Sequence, residues 1–325
     1  MSKLRIAVIG ANQLDPDHHL ALNHLSDQGR VAAYALDSPS SELGFEPLRD
    51  AMHTEALDAV ILAGHRGDIR EWSRFALQND WPVYVTHPVA PTIEDMIEIR
   101  RAEQSADQPL LQFGSFARHH ESAIAARTKA DSGAYGHLLT LRAVCGVDLQ
   151  ETEGSLIYDL GAQMVDLMQA FAGPFQDISG VCDRDRGPTS GLTSNLLATL
   201  RTHDDVLASV HLSATQWRPT FRLELGFEHG YMWLEGLNHQ SHNFGQEALV
   251  YARTDDGDAS HETVDRYEHS HGAKTALEGF LARIGDRAAA PAIGTSQDAF
   301  DTLNTLQRIL AADQTLAPQL ERHAS

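Results

Sequence analysis

Residues 4–10 read LRIAVIG, a short apolar run that ends in Gly10. A turn-rich segment (12–17) and a stretch with helical periodicity (18–28) follow it. This order predicts a strand, a loop and a helix at the start of the chain.

The same alternation continues through the first 120 residues. The predicted strands are 31–37, 59–63, 83–85 and 110–114, and the predicted helices between them are 46–54, 68–79 and 92–103. Strands that alternate with helices every ~20 to 30 residues are typical of a parallel sheet wound by right-handed crossovers. The first part of the chain therefore predicts an α/β domain with a doubly wound parallel sheet.

The pattern changes after about residue 120. A helix (122–132) precedes a series of runs with polar alternation, and hairpin signals at 203–205 and 228–230 join consecutive runs. We expect an α+β domain with a large open antiparallel sheet. The predicted domains are residues 1–120 and 121–325. The last helix is a candidate to pack back on the first domain. The predicted elements of this part are strands 138–147, 175–182, 194–202, 205–214, 221–227 and 230–234 and helices 155–171, 274–284 and 297–311.

Composition limits the class of partner. The chain has 45 acidic and 25 basic residues and a formal charge of -20, which argues against nucleic acid and anionic membranes and leaves small molecules as substrates. No apolar run approaches the ~20 residues of a membrane span, and the first apolar run begins too early for a signal peptide, so we expect a cytoplasmic protein. Cys145 and Cys182 lie in apolar runs and favour buried thiols over a disulfide.

The first strand-to-helix turn is the usual place for a pyrophosphate, because it offers backbone N–H groups and a helix N-terminus. Gly10 stands at the position where such a site has its first tight turn. The G-x-G-x-x-G fingerprint is otherwise missing, since Asn12 stands at the second glycine and Asp15 at or near the third. Asparagine tolerates positive φ, whereas the Asp15 carboxylate would compete with a phosphate.

Asp37 ends the second predicted strand, where an acidic residue would bind the ribose of NAD and repel the 2'-phosphate of NADP. An exposed aspartate that begins a turn is an equally good interpretation. NAD is thus the expected cofactor, NADP is the less favoured one, and no cofactor is the remaining alternative. The other candidates for cofactor contacts follow the third and fourth strands and are Ala63, His65, Thr86 and His87.

Six short motifs occur in a fixed order along the chain. They are VIG (8–10), LDAV (57–60), YVTHPVA (84–90), SGAYG (132–136), GSLIYDLGAQMVD (154–166) and SQDA (296–299). This set resembles the glucose-fructose oxidoreductase / inositol dehydrogenase (Gfo/Idh/MocA) family over essentially the whole chain. The resemblance implies an N-terminal Rossmann domain and hydride transfer between NAD(P) and a carbon of a sugar or polyol. It also implies a C-terminal open sheet for substrate binding and oligomerisation.

An open sheet face with apolar residues needs a cover. We expect a homodimer or homotetramer that forms through the C-terminal sheet. The apolar residues expected on the uncovered face are Leu212, Leu223, Leu225 and Phe227.

The departures from the family pattern concern its catalytic positions. Where the family has Glu-Lys-Pro after the fourth strand, this chain has Thr86, His87 and Pro88. Where the family has an Asp and, four residues later, a His, this chain has Asp159 and Gln163. The family's Pro-Asn followed by His is also absent from the loop that contains His65 and Ile69.

These departures leave His87 as the candidate base. Oxidation of a carbinol needs a base within hydrogen-bond reach; an amide cannot act as one, whereas a histidine with an ordinary pKa near ~6.5 can. The alternative is that His87 only caps the turn before Pro88. Asp159 could orient His87 or bind substrate hydroxyls, or it is a buried structural carboxylate, and Gln163 is a candidate to hydrogen-bond the substrate.

Two further charged residues have positions typical of the family. Arg118 stands where relatives often have an arginine that faces the substrate crevice, and a surface salt bridge is the alternative. Asp166 is interpreted as structural, as a residue that holds its helix against the sheet. The histidine pairs, such as those at 18–19 and 119–120, lack the spacing of a recognised metal site, so we expect none.

Two functions remain open at this point. The first is an NAD-dependent oxidoreductase that acts on the CH–OH group of a sugar, polyol or related small molecule, with His87 and Asp159 as the acid/base pair. The second is a family member without hydride transfer, either a lyase or hydrolase or a catalytically silent binding protein. Asp37 and the fold pattern favour the first function, and the replacements at Asn12, Asp15, Ile69, His87 and Gln163 favour the second.

Overall fold

The structure is a computed structural model, and it describes residues 3–11, 14–36, 50, 54, 56–63, 69–148, 157–183, 194–237, 244–254 and 261–312. The chain divides into two compact units. The first unit comprises Met1–Phe116 and His271–Leu303, and the second comprises Ala117–Ser270 and Asn304–Ser325.

The first unit contains a parallel sheet with the strand order β2-β1-β3-β4-β5, in which each pair of neighbours is parallel. The chain runs outward from β1 to β2 and then returns to β3 on the other side, so the topological switch point lies between β1 and β3. Ligands of doubly wound sheets bind beyond the carboxyl ends of the strands at such a point. The strands are β1 (Leu4–Ile9), β2 (Val31–Leu36), β3 (Ala59–Leu62), β4 (Val83–Val85) and β5 (Leu111–Phe113).

Amphipathic helices cover this sheet. Ile6 and Leu25 are fully buried in one apolar cluster with Tyr84 and Phe280. The rings of Tyr84 and Phe280 lie 5.5 Å apart. Phe280 belongs to a helix from the end of the chain, which the structure assigns to the first unit. The helices among the described residues that lie entirely in this unit are α1 (Pro16–Asp27), α2 (Ile69–Gln78), α3 (Ile93–Ser105) and α6 (Gly272–Gly285).

The second unit contains an eight-stranded sheet with the order β13-β12-β11-β10-β6-β9-β8-β7. The pairs are antiparallel except β6 and β9, which are parallel. The fold class expected from the sequence is therefore confirmed, with one parallel pair inside the second sheet. The strands are β6 (Leu138–Asp148), β7 (Phe175–Cys182), β8 (Asn195–Thr202), β9 (Leu207–Ser213), β10 (Thr215–Phe227), β11 (Gly230–Glu235), β12 (Glu247–Arg253) and β13 (Thr263–Tyr267).

The described part of the second unit includes the helices α4 (Glu121–Asp131) and α5 (Ala162–Ala172), and a π-helical turn (Ile157–Gly161) leads into α5. The last helix, α7 (Ser296–Ala311), contributes residues to each unit, with the division after Leu303.

The prediction of which apolar residues face away from the core of the second sheet was wrong. Leu212, Leu223, Leu225 and Phe227 are between 0% and 9% exposed and belong to the core. The exposed apolar side chains of this sheet include Val181, Leu197 and Leu207, which are 50–56% exposed. Period-two alternation separates the two faces of a strand, but it does not show which face the helices cover.

Both cysteines are free, and burial raises the pKa of the Cys145 thiol to about 12. Within the described ranges, no helix is both long enough and apolar enough to span a bilayer.

Candidate functional site

His87 lies just beyond the carboxyl end of β4, on a short segment that two backbone hydrogen bonds hold in place. The Thr86 N–H donates to the Leu62 carbonyl (3.0 Å), and the Gly114 N–H donates to the His87 carbonyl (3.2 Å). A Cβ on Gly114 would lie 2.2 Å from the Thr86 carbonyl oxygen, so only glycine allows this close approach. Thr86 is buried and His87 is half-buried, which leaves the imidazole at the sheet edge where ligands of such folds bind.

The turn after β1 brings Gly10 and Asp15 to the same sheet edge. Gly10 has φ +74°, in the left-handed region that favours glycine. Ala63, which follows β3, donates its N–H to the Ile9 carbonyl (2.8 Å) and is buried. The carboxyl ends of β1 and β3 therefore meet at the switch point.

Asp15 is the N-cap residue of α1, and His18 holds it in place. The carboxylate accepts the His18 N–H (3.0 Å) and contacts the His18 ring nitrogen Nδ1 (2.6 Å). The other ring nitrogen of His18 lies 3.0 Å from the Tyr84 hydroxyl, and both rings are buried. Burial raises the pKa of Tyr84, so the phenol keeps its proton and the three side chains form one chain of hydrogen bonds.

The electrostatics of this turn keep Asp15 charged. Burial opposes the ionisation of the carboxyl, but the attraction and hydrogen bonds of His18 outweigh it, and the charge of His87 acts in the same direction. The pKa of Asp15 is therefore far below its ordinary value. The ionised carboxylate of Asp15 therefore stands at the N-terminus of α1, paired with the His18 ring.

In the second unit, Arg118 and Asp166 form a largely buried ion pair. The guanidinium donates to the Asp166 carboxylate (2.6 Å) and to its backbone carbonyl (3.2 Å), and the two side chains are 12% and 1% exposed. The sequence suggested a crevice-facing or surface arginine and, separately, a structural aspartate. The structure brings these two residues together, across 48 positions of the chain.

Gln163 and Asp159 lie at the start of α5. Gln163 is 2% exposed, and its side-chain oxygen accepts the Ala117 N–H (3.3 Å). Asp159 is half-buried in the π-helical turn, a distortion that often marks functional positions. These two residues belong to the second unit, whereas His87 belongs to the first.

Two buried histidines of the second unit were not identified from the sequence as site residues. Burial, with a smaller contribution from the charge of Arg118, lowers the pKa of His119 to about 4, and its Nε2 has no hydrogen-bond partner among the described residues. His120 binds Glu247 (2.7 Å) and Ser270 (3.1 Å) through Nδ1. Burial opposes the ionisation of Glu247, but the hydrogen bond and charge of His120 hold its pKa below the ordinary value. The sequence signal for both was only the pair His119-His120.

Comparisons with known proteins agree with this architecture. The GFO/IDH/MocA C-terminal domain model matches residues 124–233. Inositol 2-dehydrogenase of Corynebacterium glutamicum is 32% identical over 189 residues, which cover 53% of this chain and 56% of that protein. Inositol 2-dehydrogenase of Leifsonia xyli subsp. xyli is 30% identical over 230 residues, 65% of this chain and 67% of that protein.

This chain belongs to the GFO/IDH/MocA family. Its match spans little more than half the length of the C. glutamicum relative. A solved structure of levoglucosan dehydrogenase in complex with NADH and L-sorbose superimposes with a TM-score of 0.75 at 13% identity and covers 96% of this chain and 97% of that one. At that identity the likeness supports the fold.

The family implies a nicotinamide dinucleotide, but the N-terminus of α1 does not fit its diphosphate in the usual place. Pro16 has no N–H, the His18 N–H already donates to Asp15, and Asp17 adds a second carboxylate in the first turn of α1. A phosphate at a helix N-terminus needs free N–H donors and a positive potential. Here the helix dipole already faces the carboxylate of Asp15.

Other parts of the expected family site lie outside the described residues, namely Asn12, Asp37 and His65. Among the residues that the structure does describe, no group of three or more His, Cys, Asp or Glu side chains could hold a metal ion.

Proposed function

We propose that this chain is an oxidoreductase that acts on the CH–OH group of a sugar or polyol. The observation that carries the proposal is the position of His87 at the carboxyl edge of a doubly wound sheet, in a family whose matched relatives include inositol 2-dehydrogenases. A cyclic polyol such as inositol is accordingly the first substrate class to test. NAD, rather than NADP, is the proposed redox partner because Asp37 follows the second strand. The diphosphate of NAD would have to displace Asp15 or bind beside it.

The contribution of the chain itself is proton transfer at the carbinol. His87 is half-buried, its backbone is held by hydrogen bonds of the Thr86 N–H and the Gly114 N–H, and an imidazole is a common general base. Asp159 is proposed to bind a substrate hydroxyl. Gln163 and Arg118 bond to Ala117 and Asp166 within the second unit and are proposed to position the start of α5.

The misfit between the N-terminus of α1 and a diphosphate supports a second candidate, a protein that performs acid–base chemistry on a polyol without hydride transfer, or that binds it without reaction. Its specific support is Asp15, which stays ionised at the N-terminus of α1. The candidates differ in a simple observable, since only an oxidoreductase reduces NAD when a polyol is added.

The test is a turnover assay over a panel of polyols and keto-sugars, with nicotinamide absorbance as the readout for redox and chromatography of the products for other chemistry. We expect His87→Ala to lower turnover by about 10²- to 10⁴-fold, the usual contribution of a general acid or base. His19→Ala, which removes an exposed histidine of the same unit, should leave turnover unchanged. Full activity of the His87→Ala protein would exclude His87 from the reaction, and products without nicotinamide reduction would select the second candidate.

A further inference from the structure

We infer that Asp15 is a specificity-determining residue that keeps the diphosphate of a dinucleotide away from the N-terminus of α1. The inference rests on the proposed function only for the choice of dinucleotide as the ligand to test. It concerns ligand affinity and not turnover.

The carboxylate of Asp15 lies at the N-terminus of α1. Asp15 caps α1 with an extended backbone (φ -64°, ψ 156°) and accepts the N–H of His18. In Rossmann folds the same helix terminus binds the pyrophosphate. The side chain of Asp15 thus occupies the place of the phosphate, and it carries a charge of the same sign.

The carboxylate of Asp15 cannot easily move away from this position. The His18 ring is bound to Asp15 on one side and to Tyr84 on the other, and both rings are buried. Rotation of Asp15 would leave the Nδ1 of a buried histidine without its partner, which is costly. A dinucleotide would have to displace a fixed anion or bind beside it.

Solvent limits the effect of Asp15 on dinucleotide affinity. The Asp15 side chain is 44% exposed, so water and salt screen its repulsion of a phosphate. We therefore expect an effect of about tenfold to a hundredfold on affinity, which is roughly 1.4 to 2.8 kcal/mol.

The chain offers closely matched variants for a test. Asn is as good an N-cap residue as Asp, so Asp15→Asn removes the charge and keeps the cap. Asp15→Gly removes the side chain as well. Asp17→Asn removes a charge from the first turn of the same helix and leaves the cap unchanged.

The experiment is a titration of each full-length variant with NADH, followed by energy transfer from tryptophan to the nicotinamide, after thermal unfolding has shown that each variant is folded. We expect Asp15→Asn and Asp15→Gly to bind NADH at least tenfold more tightly than the wild type, and Asp17→Asn to change the affinity less than threefold. The gain should shrink when NaCl is raised from about 50 mM to about 500 mM, because an electrostatic effect is screened.

Two outcomes would overturn the inference. One is equal NADH affinity of the wild type and both Asp15 variants, and the other is no binding by any of them at millimolar NADH, because Asp15 would then not be the cause. Failure of the proposed function is a separate result, namely no polyol turnover by the wild type, and it leaves the difference in NADH affinity intact.

Discussion

The pKa of His119 makes the stability of the second unit depend on pH. The folded protein keeps this buried histidine neutral until about pH 4, whereas the unfolded chain protonates it near 6.5. Between these values the unfolded state binds more protons, so the free energy of unfolding falls as the pH is lowered from 6.5 to 4. The difference between the two pKa values corresponds to a loss of about 3 kcal/mol in the free energy of unfolding. Urea denaturation at several pH values measures this loss.

A leucine at position 119 should remove most of this pH dependence, because no proton can then bind there. The control is His137→Gln, which changes an exposed histidine of the same unit and should keep the slope of the wild type. If His119→Leu loses stability between pH 6.5 and 4 as steeply as the wild type, other groups cause the loss.

The sequence named candidate site residues, but it could not predict how their side chains pair. Arg118 and Asp166 were both identified, but the ion pair between them depends on how the 3-10 helix Phe116–His119 lies against α5. Likewise, Asp15 was recognised as an obstacle to a phosphate, whereas the bonds that fix it come from His18 and Tyr84, and Tyr84 lies 66 positions from His18. Such contacts arise only from tertiary packing.

At the scale of elements, β5 and β4 position the His87 segment through one glycine. A Cβ on Gly114 would collide with the Thr86 carbonyl, a backbone atom that cannot move without displacing His87. We expect Gly114→Ala to lower the free energy of unfolding by about 1–3 kcal/mol, the usual cost of overpacking, and to lower any turnover that depends on His87. Chemical denaturation and the polyol assay measure the two effects.

Gly279→Ala is the matched control. Position 279 lies within α6, and the nearest atom to an added Cβ there is 3.8 Å away, which is an ordinary contact. Alanine is favoured over glycine in a helix interior by about 0.5–1 kcal/mol, so this variant should be slightly stabilised. Equal stability of Gly114→Ala and the wild type would show that the close approach of β5 to Thr86 is not a constraint.

The elements themselves were predicted unevenly, for a physical reason. The parallel sheet followed from the regular alternation of apolar strands and helices. In the second sheet, local hairpin signals predicted antiparallel pairs, but the parallel pairing of β6 with β9 joins strands that are distant in the chain. The assignment of α6 to the first unit depends in the same way on the burial of Phe280 among residues of β1 and α1.

At the scale of the whole molecule, the exposed apolar side chains of the second sheet need a cover. Val181 and Leu197 are register partners on β7 and β8 and are 56% and 50% exposed. We propose that a second copy of the chain covers this face, which gives a homodimer or a homotetramer. Burial of each such side chain would contribute roughly 1.5–3 kcal/mol.

Light scattering coupled to gel filtration tests this association. We expect the wild type to elute as an oligomer at micromolar concentration, and Leu197→Arg to elute as a smaller species, because a charge buried in an apolar contact is costly to desolvate. Leu20→Arg is the control, since Leu20 is 45% exposed but lies on α1 of the first unit, and it should leave the oligomer intact. A monomeric wild type, or an oligomer that Leu197→Arg does not weaken, would show that this face of the sheet is not the contact between copies.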